Sequence, residues 1–360
     1  MLHVVLRHDG AETRRADGAL VPVAEVAALL PTPLHPVSPA TVDWDRFGRE
    51  VCAADLARRA PSVVRAELVR LGDVRLAAKS ARLEARLTSE PPGEVLYGEV
   101  WDGPGFSANR EPMRALAARL PLAALDAALA TVPGAARPAL ALGLLFGTAG
   151  FLPLSPADAA FAGVAPDAVP AIEAAWARHG AAWFGQTLPP TAWTRARVRP
   201  ANHPVVRLAA GAALLTAATG GLVAALLAPV RAGADPVAAL RDLAAGKGVG
   251  GGSGPGLGAD RATDLIANAV LPFALAYAEH TGDAALLDAA ARAWERLPAA
   301  APNEVTRRAG RQVAGDARLG AVGARGQQGL IHLDQSLCAP RRCFECPIAH
   351  AVLADASAPT

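Results

Sequence analysis

Lysine is almost missing from this chain: Lys79 and Lys247 are the only two in 360 residues, and arginine supplies the rest of the basic charge. Acids nearly balance bases, so the formal net charge is only +2, which excludes a strongly basic tail or coat as the device for holding nucleic acid. Aromatic residues are scarce at 4%, although the hydrophobic fraction reaches 52%; the apolar excess is mostly alanine, with leucine and valine. Alanine loses no side-chain entropy in a helix, so this composition favours helices. Four cysteines are too few for a secreted disulfide framework, and three of them crowd together, which points to reduced thiols and a cytoplasmic protein. No basic segment followed by an apolar block opens the sequence, so no signal peptide is expected.

The uncharged run Leu208 to Val230 is long enough to span a bilayer. The Gly220-Gly221 pair interrupts it and no aromatic belt flanks it, so two buried helices are expected there and no membrane partner. Leu2 to His8 has the β-branched character of a strand, Asp9-Gly10 is a turn pair, and Ala19 to Val23 is expected to return as a second strand. Pro31 to Pro39 forms a connector, after which helical periodicity persists with short connections. The expected fold class is therefore all-α. A short β-hairpin remnant and proline-rich connector occupy residues 1–35, and one large multi-helix domain occupies residues 36–360. A glycine-rich loop at residues 246–258 interrupts it. Arg75, Lys79, Arg82 and Arg86 share one face of the helix Ser62 to Leu87, read as a solvated face ahead of a phosphate-binding stripe.

Potential chemistry concentrates near the C-terminus. Cys338-x4-Cys343-x2-Cys346 offers soft ligands that a tight turn can bring onto one ion, and its second half resembles a zinc knuckle, where loop amides point at the sulfurs. His350, one helical turn beyond Cys346, is the expected fourth ligand, with His332 or Cys52 as alternatives. A structural zinc site, an iron–sulfur cluster and unmetallated thiols packed as small hydrophobes all remain open.

Nucleic acid is the one partner class suggested. Arg195, Arg197 and Arg199 alternate beside Trp193, a pattern that either stacks on bases or covers a core edge with cationic rims. Gly256 and Gly258 ahead of Arg261 resemble a helix-start hairpin that grips phosphate through backbone amides. Asn202-His203 reads as a cap and loop anchor, and Glu94, Glu99, Asp102 and Glu111 read as caps and surface charges. No phosphate-loop lysine, Gly-x-Ser-x-Gly or His-Glu-x-x-His is present, so the chain is expected to hold no catalytic centre of its own.

Several segments together resemble the bacterial family known as domain of unknown function 2851. They are Leu2-His-Val-Val, Leu144 to Leu152, Arg199 to Ala209, Ile266-Ala-Asn-Ala-Val-Leu-Pro, Pro302-Asn-Glu, and Gln328-Gly-Leu-Ile-His-Leu through Cys346-Pro-Ile. Members of that family carry a longer N-terminal region with a nuclease-like look, which implies that any chemistry would lie outside this chain. The ending is also similar to the tail of helix-hairpin-helix DNA glycosylases, but Val352 stands where their last cluster cysteine would be. The resulting expectation is a non-catalytic helical module with a Cys/His metal-type knuckle and nucleic-acid contact. The alternative is a DNA-processing enzyme, nuclease or glycosylase-like, whose catalytic part lies elsewhere.

Overall fold

A computed structural model describes residues 2–27, 52–103, 106–245 and 256–356. The Pro31–Pro39 connector, the start of the helix expected from Asp43, and most of the glycine-rich loop lie outside those residues. Two short strands, β1 (His3–Val5) and β2 (Val23–Glu25), come first. The helices of the first half are α1 (Ala54–Arg59), α2 (Pro61–Leu87), α3 (Pro92–Asp102), α4 (Phe106–Arg119), α5 (Leu122–Ala130), α6 (Arg137–Thr148), α7 (Pro156–Ala162) and α8 (Val169–His179). Those of the second half are α9 (Pro204–Ala217), α10 (Leu222–Arg231), α11 (Pro236–Ala244), α12 (Ala259–Leu265), α13 (Leu271–Thr281), α14 (Ala284–Arg296), α15 (Glu304–Ala314), α16 (Gly323–His332) and α17 (Pro347–Ala356). The fold is all-α apart from the strand pair.

The strands pair in parallel, His3 opposite Val23 through Val5 opposite Glu25, and not as the expected hairpin. The reason is a second reversal. Asp9-Gly10 turns the chain once and Asp17-Gly18 turns it again, each aspartate accepting a backbone N–H two residues on and each glycine at positive φ. Two turns restore the original direction, and antiparallel pairing survives only as the bridge Arg14–Leu20.

Two apolar cores form, and α2 runs through both. Val64, Leu68 and Leu71 in its first half join α1, α15, α16 and α17 around a smaller core, while Leu76, Leu83 and Leu87 enter the larger core with Trp101, Phe146 and Phe273. The uncharged run divides at Gly220-Gly221, as expected, into α9 and α10, bent by 81°. Among the described residues no single helix is long and apolar enough to cross a membrane.

The closest contact in the bundle is between α2 and α16. A Cβ on Gly72 would lie 1.9 Å from the carbonyl oxygen of Arg325, and one on Gly329 would lie 1.8 Å from that of Leu68. Backbone meets backbone there, so neither helix can give way by moving a side chain. Carboxylate clamps flank the crossing: Arg325 donates to Asp73 at 3.0 and 2.6 Å, and Arg308 of α15 donates to the buried Asp334 at 2.9 and 2.6 Å.

Gly329→Ala is expected to destabilise the chain by about 3 kcal/mol or more, the upper end for overpacking. Gly310→Ala, on α15 with nothing within 4 Å of its Cβ, is expected to be neutral or stabilising by up to ~1 kcal/mol. Urea unfolding of both variants checks this, and similar midpoints would show that the helices do not touch as described.

Candidate functional site: a thiol cluster and a cationic seam

Helix α16 continues beyond His332 into a π-helical segment, Leu333–Cys338, which ends at the first cysteine of the C-terminal group. Arg341 takes a left-handed conformation (φ 57°), and Arg342 N–H reaches back to Leu337 O at 2.7 Å, which turns the chain sharply. A short 3-10 turn, Cys343–Glu345, then leads to Cys346. Cys346 is buried, and the backbone N–H groups of Ile348 and Ala349, in the first turn of α17, point at its sulfur.

Cys52 arrives from the other end of the sequence. Its N–H and that of Ala53 bond to Gln312 O and Val313 O at 2.8 and 2.9 Å, tying the chain ahead of α1 to the end of α15. There Cys346 is buried in the smaller core, Cys52 and Cys338 pack against that core, and Cys343 lies near enough for its charge to bear on all three. Burial pushes the Cys52 thiol up to about 12, and Cys338, Cys346 and Cys343 each add to that rise. Cys338 is likewise pushed up to about 12, by burial first and then by Cys346 and Cys343. All four are free thiols. As drawn, no three His, Cys, Asp or Glu side chains among the described residues stand in ligating positions.

The histidines go elsewhere. His350 is exposed, and its Nε2 lies 2.7 Å from the Phe344 carbonyl oxygen. His332 is lowered by burial and by neighbouring Arg75, which places it on the α2 side of α16. Cys52, the alternative from the distant end of the sequence, packs against the smaller core, as Cys338 does.

A second polar group was not foreseen. On the face of α2 read as solvated, Arg75, Lys79 and Arg86 are half-buried, and Arg82 alone of the four is exposed. Glu99, expected as a surface charge, is buried and accepts Arg82 at 3.0 and 2.7 Å and Arg86 at 3.2 Å. Arg75 Nε and Nη1 donate to Gln328 Oε1 at 3.0 Å and Gln335 Oε1 at 3.2 Å, and Lys79 Nζ donates to Asn268 Oδ1. Asn268 sits in another π-helical segment, Ile266–Val270, between α12 and α13. Burial, with Arg75 second, lowers Lys79 to about 7. The hint in the sequence was the lone lysine in an arginine stripe; what it could not show was the partner helices.

The residues expected at nucleic acid divide among other contacts. Arg195 pairs with Asp158 and lies 5.4 Å over the Phe151 ring, while Trp193 is buried with Nε1 donating to Ala149 O at 2.8 Å, so this loop covers a core edge. Arg197 and Arg199 are exposed. Gly256 has φ 57°, Gly258 precedes α12, and Arg261 pairs within that helix with Asp264 at 2.8 Å. Asn202 does not cap α9; it accepts from Arg207 Nη2 at 2.7 Å, and His203 is buried in a stack on Phe161.

The profile of a family described as a protein of unknown function, DUF2851, matches residues 1–229. The chain belongs to this family. No curated protein and no solved structure matches. The matched part of the family profile ends in α10, so the cysteine ending and both π-helical segments lie beyond it.

Lys79 yields a pH test. Its folded value near 7 is below the ordinary 10.5, so it contributes stability that is present above that ordinary value and lost as pH falls through about 7. Arg75, Arg82, Arg110 and Glu99 are the charges around it. Lys79→Met is expected to gain stability over the wild type as pH falls from about 10 towards 7, then hold a constant advantage. Urea midpoints across that range check it; parallel profiles would refute the burial of the amine.

Proposed function

We propose that this chain is a helical module closed at its C-terminus by a structural metal ion, zinc in the first instance, held by Cys52, Cys338, Cys343 and Cys346. The observation that carries this reading is the convergence of Cys52, Cys338 and Cys346 on the smaller core, with Cys343 nearby in the 3-10 turn that leads into Cys346. The donor set is also suitable: zinc takes four thiolates in a tetrahedron, and amides of the first turn of α17 aimed at the Cys346 sulfur stabilise a thiolate. Burial raises the thiols of Cys52, Cys338 and Cys346; a cation reverses that preference, because a coordinating thiol loses its proton. The role is structural, since four thiolates leave no open position for a substrate.

Elemental analysis of the purified protein is expected to find close to one zinc per chain. Cys52→Ser should lose it as fully as Cys346→Ser, with a fall in thermal stability, while His350→Ala should keep it. A folded wild type free of metal, or loss of zinc in the His350 variant with retention in the Cys52 variant, would contradict the assignment.

A further inference from the structure

Arg75 and Lys79 stand one turn apart on α2, in a seam between two π-helical segments, and both are held by side-chain amides. Gln335 of the segment Leu333–Cys338 accepts from Arg75, and Asn268 of the segment Ile266–Val270 accepts from Lys79. Gln328, two turns before Gln335 on α16, accepts the second Arg75 donor at 3.0 Å. An amide oxygen satisfies a donor but cancels no charge. The nearby carboxylates are committed to other arginines: Glu99 to Arg82 and Arg86, and Asp264 to Arg261 at 2.8 Å. Arg110, whose charge is felt at both Arg75 and Lys79, is half-exposed and lies 3.4 Å from Asp102.

We infer that this seam is a binding site for a small phosphate-class oxyanion, inorganic phosphate or a phosphorylated small molecule, bridging Arg75 and Lys79 with Arg110 at its rim. Among the described residues no carboxylate is hydrogen-bonded to Arg75 or Lys79, although Glu99 and Asp264 are near enough to interact with Lys79, and two partly buried cations so placed incur repulsion and desolvation that an anion would relieve. Burial lowers Arg75, Lys79 and His332 alike, and the neighbouring cations add to it, which describes a site short of negative charge. Single-turn π-helical insertions often mark functional sites, and here each of two presents an amide to one of the two cations. The amide NH2 groups of Gln328 and Gln335 are neutral donors of the kind that surround a bound phosphate, while that of Asn268 donates to Asp264 O at 2.8 Å. A nucleic-acid backbone is the poorer fit, because its phosphodiester carries a single charge and its strand must stay on the surface.

The experiment is calorimetric titration of the full chain with inorganic phosphate at constant ionic strength, with a short single-stranded DNA as a second titrant. Wild type is expected to bind phosphate and not the DNA. Lys79→Met and Arg75→Gln should each weaken phosphate binding by at least about tenfold, the loss of one charge-assisted contact. Arg197→Gln, on the exposed loop, should bind as wild type does. Thermal unfolding guards against misfolding: without phosphate, Lys79→Met should unfold at or above the wild-type temperature, and phosphate should raise that temperature only for the wild type and Arg197→Gln. No phosphate binding by the wild type, undiminished binding by the Lys79 and Arg75 variants, or Lys79-dependent binding of DNA alone would overturn the proposal.

Discussion

The backbone contact between α2 and α16 is the constraint on which the rest of the structure depends. With Gly72 and Gly329 each facing a carbonyl of the other helix, the two axes have one register, and a slide along the contact would drive backbone into backbone. That register sets Gln328 opposite Arg75 and aims the π-helical continuation of α16 so that Cys338 ends against the smaller core, where Cys52 also packs. A π-helical turn adds a residue to the helix circuit and re-aims the side chains after it. The thiol cluster and the cationic seam are therefore two consequences of one crossing, on opposite stretches of the same pair of helices.

Charge is distributed to the same end. Three clamps of a carboxylate with arginine, Arg308 with Asp334, Arg325 with Asp73, and Arg82 with Glu99, fix α15, α16, α2 and α3 to one another. Each uses the flat guanidinium fork that a lysine could not supply. The one described lysine stands where no such clamp exists. An ammonium can shed its proton when buried and a guanidinium cannot, so lysine is the cation that survives burial between an amide and other arginines without a fixed charge.

Much of the fold was legible because helical periodicity and breakers are local signals. The helices Leu122–Ala130 and Glu304–Ala314 fall where the pattern places them, and Gly220-Gly221 splits the uncharged run. The parallel strand pair was not legible, since it depends on counting two Asp-Gly reversals where one suffices for a hairpin. Spacing identified Cys338, Cys343 and Cys346, which are neighbours in sequence. It singles out His350 because helical spacing is visible in sequence, whereas the bond of Cys52 to the end of α15 forms only once α1 and α15 have packed. Glu99 and Lys79 were misread for the same reason: a charged stripe looks solvated until the helices that cover it are in place.

In the proposed metal site, Cys52 and three thiols from residues 338–346 enclose one zinc ion. X-ray absorption at the zinc edge of the purified protein tests this most directly. Four sulfur scatterers at about 2.3 Å, with no nitrogen or oxygen in the first shell, are expected. A first shell of three sulfurs and an imidazole nitrogen would place a histidine where Cys52 belongs and contradict it.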